Sequence, residues 1–136
     1  VTLKEELDFM ESYLFLIRMR FDSSLTVEIV IPESQLLYQI PPLTIQTLVE
    51  NAIKHNEISK RHPLIIRILA TESGTLVVTN NINKKITEPE GAGIGLMNLS
   101  KQFRLLVDKE VSISSENNQF SVEVPLISPT YEGSDS

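Results

Sequence analysis

Four polar side chains that could do chemistry lie close together in the middle of the chain. They are Glu50, Asn51, Lys54 and His55, and at about 100° per residue they fall on one arc of a helix. Their oxygens could hold a hard metal ion, while the lysine and the imidazole could neutralise phosphate. Taken alone, the arc is more typical of a solvated helix face on which Glu50 and Lys54 form an ordinary ion pair four residues apart.

A glycine run gives a second candidate, Gly91-Ala92-Gly93-Ile94-Gly95-Leu96. Three of the five glycines lie here, just before a helical pattern, where backbone N–H groups and a helix N-terminus could approach a phosphate closely. The spacing is not that of a dinucleotide-binding fingerprint, and no Gly-Lys-Ser/Thr closes the run as in a Walker loop. A phosphate cradle and an ordinary turn are both compatible with this run alone.

Helical spacing predicts the elements that would position these residues. The central helix is expected from about Pro42 to His55, with an apolar face for the core and the two prolines at its first turn. An amphipathic helix is predicted over residues 3–21, and another from about Ile94 to Val107.

Alternating β-branched residues predict five strands, four of them in two hairpins. Residues 81–90 are expected to form a mobile loop, and residues 128–136 a disordered tail. The strands are expected at Leu25–Ile31, Leu64–Thr71, Thr75–Asn80, Val111–Ser115 and Gln119–Leu126.

Composition excludes several classes of protein. The 136 residues suit one domain, and no apolar run approaches the roughly 18 residues of a membrane span, so the chain as given is expected to be soluble. A net charge of -6 argues against a general nucleic-acid binder. The absence of cysteine excludes disulfides and thiol catalysis. Because the chain starts at Val1 in a helical pattern, we expect it to be part of something longer.

In this order, these motifs resemble the catalytic ATP-binding domain of sensor histidine kinases, of the GHKL superfamily. The Lyt-type (autolysin-sensor-like) subgroup has the run Pro-Pro-x-x-x-Gln-x-Leu-Val-Glu-Asn-Ala-x-Lys-His, which residues 41–55 match throughout. The resemblance covers residues 3–127. It implies an α/β two-layer sandwich, in which a mixed, mostly antiparallel sheet has helices on one face and ATP lies between the central helix and a lid.

The resemblance also implies roles for single residues. Asn51 would coordinate Mg²⁺ bridging the ATP phosphates, Glu50 would help to position or activate the reacting groups, and Lys54 and His55 would contact phosphate. Residues 82–90 would form the lid. Further contacts to the cofactor are expected from Asn80, Asn81, Gly91, Gly93, Ile94, Gly95 and Leu96. The phosphorylated histidine would lie upstream of this chain, so neither His55 nor His62 is a candidate.

One motif departs from the family. Where the family has Asp-x-Gly-x-Gly to bind adenine and to free the lid, this chain has Asn80-Asn81-Ile82-Asn83-Lys84. An asparagine carbonyl still accepts a hydrogen bond but lacks the charge, and without the glycines the lid's first hinge should be stiffer. Weaker adenine recognition is therefore expected. A degenerate signalling module and an ATPase of the same superfold are the two alternatives.

The N-terminal helix leaves two interpretations open, a packing helix of this domain or the end of the phosphoacceptor stalk. Its match to Leu-x-x-Glu-Leu-x-x-x-x-x-Tyr-Leu favours the stalk, so we assign residues 1–22 to it and residues 23–127 to the ATP-binding domain. Leu7, Met10, Leu14 and Ile17 would then form an exposed, adhesive stripe. The partners implied are the protein's own dimerisation and phosphoacceptor domain, a response regulator and a second copy in a homodimer, with no nucleic acid. The location implied is the cytoplasmic side of a membrane-anchored sensor.

Overall fold

A computed structural model describes residues 1–85 and 94–129 of the chain. Its helices are α1 (Leu3–Phe9), α2 (Glu11–Phe21), α3 (Thr44–His55) and α4 (Ile94–Leu106), with short 3₁₀ turns at Asp22–Ser24 and Glu33–Gln35. Its strands are β1 (Leu25–Val30), β2 (Leu64–Ala70), β3 (Thr75–Asn81), β4 (Ser112–Glu116) and β5 (Gln119–Pro125). No helix in these two stretches is long and apolar enough to cross a membrane.

The strands form one mixed sheet in the order β1-β2-β3-β5-β4. β1 runs parallel to β2, and the other neighbouring pairs are antiparallel. Alternate residues of β2, namely Leu64, Ile66 and Ile68, are fully buried, as expected for strands with one face on a core. The predicted two-layer α/β fold is confirmed, with α3 packed against β3 and α4 against α3.

Both predicted hairpins are present, and their turns have the backbone that their residues allow. Gly74 has φ +85°, the left-handed region that glycine enters without steric cost. Asn117 and Asn118 have φ 52° and 60°, which makes the β4–β5 connection a two-residue turn whose twist suits a hairpin.

The N-terminal helix differs from its prediction in two respects. It is divided at Met10, which ends α1 and precedes α2. The stripe expected to be exposed is buried instead, with Met10, Leu14 and Ile17 in the core and Leu7 packed against it. The large apolar side chains that α2 does expose are Phe15, Leu16 and Met19. The assignment of residues 1–22 to a stalk stays a prediction, although here both helices pack on this domain.

Two predictions concern residues outside the described ranges. The proposed lid, residues 82–90, is described only as far as Lys85, and the tail only as far as Pro129. Gly91 and Gly93 also fall in the gap between residues 85 and 94.

Candidate functional site

A cavity of about 430 Å³, called the main cavity below, opens between α3, the end of β3 and the start of α4. This volume lies within the range of small-molecule and cofactor sites. Residues from five elements and two loops meet around it. They are Asn51, Ala52, His55, Asn56, Asn80, Ile82, Lys84, Leu96, Ser115 and Phe120.

Helix α3 brings two of the four candidate polar side chains into this cavity. Its buried face, which includes Ile45, Leu48 and Val49, fixes the rotation of the helix on the core. Asn51 and His55, one turn apart, are half-buried and line the cavity. Glu50 and Lys54 are exposed and are not among its lining residues.

Lys54 lies instead at a second cavity of about 370 Å³. Two other basic side chains, Arg20 and Lys85, line it together with the carboxylate of Glu57. The four residues that the sequence grouped on one arc are therefore divided between two sides of α3.

The N-terminus of α3 is held by a residue far away in sequence, which corrects the predicted start of this helix. The helix begins at Thr44 rather than Pro42, because Leu43 takes a left-handed conformation at φ 68°. The Glu6 carboxylate of α1 accepts hydrogen bonds from Leu43 N (Oε1, 2.9 Å) and Ile45 N (Oε2, 2.9 Å). Sequence analysis missed this role of Glu6. The signal was available, since Glu6 is a charged residue on the apolar stripe between Leu3 and Met10.

Asn80 is buried at the end of β3, where it is only 4% exposed and lines the main cavity. Its Nδ2 donates a 2.7 Å hydrogen bond to the carbonyl oxygen of Asn81. That bond fixes the orientation of the amide, so Oδ1 is the atom that Asn80 can offer to a ligand. This is the acceptor that an adenine amino group requires.

Asn81 does not line the main cavity. Its Nδ2 donates to Pro63 O (2.9 Å), and its Oδ1 accepts from Ile65 N (2.7 Å). Both amide atoms therefore fasten the first residues of β2 to β3.

The segment after β3, in which Ile82 and Lys84 stand where the family has glycines, is anchored by two asparagines. Asn56, 6% exposed, accepts from Asn83 N at 2.8 Å, and Glu57 N donates to Asn83 O at 2.7 Å. The Asn83 side chain donates to Pro63 O at 2.8 Å and to His62 O at 3.0 Å. The main chain that leads into the loop is thus anchored to the end of α3, by residues that sequence analysis did not single out.

The glycine run is described only from Ile94 onwards. Helix α4 begins there, and Leu96 lines the main cavity. Gly95 is exposed, and a Cβ at its position would lie 3.8 Å from Thr47 Cγ2 of α3, an ordinary contact. The first turn of α4 therefore lies beside α3 without any close approach that would demand glycine at this position.

The charges at the main cavity favour an anionic ligand. Among the described residues that line it are Lys84 and His55 but no carboxylate, although the whole chain carries a net charge of -6. Residues 1–85 and 94–129 contain no group of three His, Asp or Glu that could hold a metal ion by itself. A Mg²⁺ ion would fit here only as a phosphate-bound ion with sparse protein contact, for which the Asn51 amide oxygen is suited.

The pKa of one tyrosine on α2 depends partly on a charge on α3. Burial and the negative charge of Glu50 raise the pKa of Tyr13 to about 12. Tyr13 lies on α2 and Glu50 on α3, so the exposed acid of the candidate arc faces α2 rather than the cavity.

Several known sensor kinases have sequences similar to this chain. Sensor histidine kinase BtsS of Escherichia coli (strain K12) is 30% identical over 126 residues, which cover 89% of this chain and 22% of that protein. Sensor protein LytS of Staphylococcus haemolyticus is 32% identical over 146 residues, with coverage of 96% and 25%. The chain thus spans about a quarter or less of the length of these relatives. No protein-family model matches it.

Solved structures with the same fold include two from histidine kinases. The catalytic domain of histidine kinase ThkA superposes with a TM-score of 0.62 at 16% identity, covering 92% of this chain and 94% of that one. The cytoplasmic segment of histidine kinase QseC also gives a TM-score of 0.62, at 13% identity, covering 92% of this chain and 74% of that one. At these identities the likeness shows the shared fold.

Proposed function

Because the chain belongs to the sensor histidine kinase family, with relatives of the Lyt type, we propose that it is the ATP-binding catalytic part of such a kinase. It would transfer the γ-phosphoryl group of ATP to a histidine outside this chain. The observation that supports this most is that Asn51 of α3 and Asn80 of β3 line one cavity of about 430 Å³. These are the two positions to which the family motifs assign the metal and the base.

The proposed roles follow from where the side chains lie. Asn80 Oδ1 would accept from the base, and the Asn51 amide oxygen would contact a phosphate-bound Mg²⁺. His55 and Lys84 would neutralise phosphate charge. Bound Mg²⁺–ATP would supply the phosphoryl group and most of the charge compensation that its transfer needs.

Glu50 and Lys54 do not line this cavity, so their proposed roles concern groups that lie outside it. Glu50 would act on reacting groups supplied by the acceptor domain, and Lys54 on phosphate or on that domain. Asn81 would support the base site through its bonds to β2. Gly91, Gly93 and Gly95, with the first turn of α4 at Ile94, would hold the phosphates through backbone N–H groups.

The proposed partners are those of a two-component kinase. Residues 1–22 would join this domain to the protein's own phosphoacceptor and dimerisation segment, and a response regulator would receive the phosphoryl group. A homodimer and a location on the cytoplasmic side of a membrane-anchored sensor belong to the same proposal.

Replacing Asn51 tests the proposal directly. Asn51→Ala should weaken binding of a non-hydrolysable ATP analogue in the presence of Mg²⁺ at least tenfold, or about 1.4 kcal/mol, because the metal loses its protein ligand. Titration calorimetry with and without Mg²⁺ measures this. Asn98→Ala, at an exposed position of α4 outside the cavity, is the matched control. If the wild-type chain shows no binding at millimolar nucleotide, the proposal is wrong.

A non-catalytic signalling module of the same fold is the second candidate. It is favoured by Asn80, which replaces the acid of the family motif, and by Ile82 and Lys84, which stand where that motif has glycines. The anchoring of Asn83 between them adds to this. A longer protein that includes the acceptor histidine decides between the two. Phosphohistidine formation from labelled ATP would support the kinase, and its absence despite nucleotide binding would support the module.

A further inference from the structure

We propose that the N-terminal helices position the cavity-lining helix α3, with Glu6 as the positioning residue. Glu6 can act on nucleotide affinity only if the cavity binds nucleotide, so that part of the inference rests on the function proposed above. The contact itself is independent of it.

The carboxylate of Glu6 supplies what the start of α3 lacks. The first N–H groups of a helix have no partner within the helix, and a cap is normally a Ser, Thr, Asp or Asn just before it. The capping position here is Leu43, whose side chain can accept nothing. Both Glu6 oxygens are therefore used, one on Leu43 N and one on Ile45 N, each at 2.9 Å.

The buried surroundings of Glu6 strengthen its two hydrogen bonds to the start of α3. Glu6 is only 3% exposed and Ile45 is fully buried, so water competes poorly for these groups. The bonds are charge-assisted, and the negative carboxylate lies at the positive end of the α3 dipole. An interaction of this kind fixes both the position and the direction of the first turn of α3.

An electrostatic interaction links the same segments further along. Tyr13 of α2 is half-buried, and, after that burial, the charge of Glu50 on α3 is the second cause that raises its pKa. The N-terminal segment is thus hydrogen-bonded to α3 at its first turn, and a side chain of α2 lies within electrostatic range of α3 about one and a half turns later.

Because a helix is rigid, fixing the first turn of α3 also fixes the residues of α3 that line the cavity. α3 is a continuous helix of 12 residues, and Asn51 lies six residues after Ile45, about 9 Å along the axis. A shift of the first turn therefore moves Asn51 and His55 as part of one rigid rod. By contrast, Asn80 is held by β3 and should stay in place.

The sequence motif of the N-terminal segment fits the same interpretation. In Leu-x-x-Glu-Leu-x-x-x-x-x-Tyr-Leu, the apolar positions Leu3 and Leu14 are buried in the core. Of its two polar positions, Glu6 is hydrogen-bonded to the start of α3, and Tyr13 is close enough to Glu50 for that charge to contribute to its raised pKa. A motif predicted to belong to a stalk thus contains the residue that holds the start of α3.

The variant Glu6→Gln tests the proposal in the full 136-residue chain. Glutamine keeps the size but has one acceptor, so its NH₂ group would face one of the two backbone N–H groups. The gain in affinity for an ATP analogue that Mg²⁺ provides should fall about fivefold or more. Affinity without Mg²⁺, which depends on the β3 side, should change little. Glu11→Gln, an exposed position on α2, is the matched control and should leave both affinities unchanged.

A second measurement distinguishes an effect of Glu6 on the position of α3 from an effect on the stability of the fold. In ¹⁵N NMR spectra below the melting temperature, Glu6→Gln should shift the side-chain amide of Asn51 as well as residues of the first turn of α3. Glu6→Asp, which keeps the charge on a shorter side chain, should give intermediate shifts, and it replaces Glu6→Gln if that variant does not fold.

Two results would overturn the role of Glu6. One is a shift confined to residues 43–47, which would make Glu6 a local cap only. The other is an equal loss of affinity with and without Mg²⁺, as expected from partial unfolding. If the wild-type chain binds no nucleotide, the proposed function fails, and the NMR result alone decides on Glu6.

Discussion

Asn80 is the residue at which this chain departs most clearly from its family. The Asn80 amide donates to Asn81 O, an interaction that an aspartate could not make. Compared with an aspartate, Asn80 lacks the negative charge that would face a ligand, but it gains a hydrogen bond within the protein. In the proposed function, Oδ1 would still accept a hydrogen bond from the base, without the added strength of a charge.

Asn80→Asp should therefore change affinity and stability in opposite directions. We expect ATP to bind about three- to tenfold more tightly, because the hydrogen bond to the base becomes charge-assisted. The free energy of unfolding should fall by about 1–3 kcal/mol, since Asn81 O loses its donor beside a buried charge. Calorimetry and urea unfolding measure the two effects. Asn98→Asp controls for the added charge, and weaker ATP binding by Asn80→Asp would contradict the role given to Oδ1.

At the scale of residues, what the sequence could predict depended on whether the signal lies in a local motif or in partners far away along the chain. Asn51, His55, Asn80 and Leu96 were identified from ordered motifs, and the structure brings all four to one cavity. Glu6 was missed as a site residue because its partners are 37 and 39 residues away. Nothing local shows which backbone groups a buried carboxylate will reach, although its place on an apolar stripe shows that it must reach some.

At the scale of elements, the half-buried environment of Tyr13 on α2 should be detectable at alkaline pH. The pKa of Tyr13 is raised to about 12 in the folded state, against about 10 in an unfolded chain. Between these values the unfolded state loses a proton that the folded state keeps, so this contribution to stability is present below pH 10 and is lost as pH rises toward 12.

The variant Tyr13→Phe should remove that contribution. A spectrophotometric titration of the wild type should show a tyrosine that ionises near pH 12, and it should be absent in Tyr13→Phe but kept in Tyr38→Phe. Urea midpoints measured between pH 9 and pH 11.5 should decline less steeply in Tyr13→Phe than in the wild type. Equal slopes would mean that Tyr13 does not have the buried environment that raises its pKa.

The elements themselves were largely predictable. All five strands lie within about one residue of their expected bounds, because alternation and turn residues are local signals. The start of α3 was wrong for a different reason. Two prolines suit a first turn, but a left-handed Leu43 and a carboxylate from α1 place the first turn two residues later.

For the whole molecule, a side chain of α2 also bonds to an edge strand of the sheet. β1 is a terminal strand of the sheet, and a guanidinium nitrogen of Arg18 donates to Val27 O at 2.9 Å. A backbone acceptor that is already bonded is less able to pair with another chain. The N-terminal helices are thus bonded to both β1 and α3, and their apolar stripe is buried in the core between these attachments.

The packing of α4 on the core should dominate the stability of the whole domain. Phe103 is fully buried in the core cluster that joins helices and sheet, whereas Leu105, two residues away, is 83% exposed. Phe103→Ala should lower the free energy of unfolding by about 3–5 kcal/mol, through lost burial and a cavity. That is a large part of the roughly 5–15 kcal/mol of a typical domain. Leu105→Ala, on the same helix, should stay within about 0.5 kcal/mol of the wild type. Urea unfolding followed by circular dichroism measures both, and similar losses in the two variants would show that α4 does not pack on the core through Phe103.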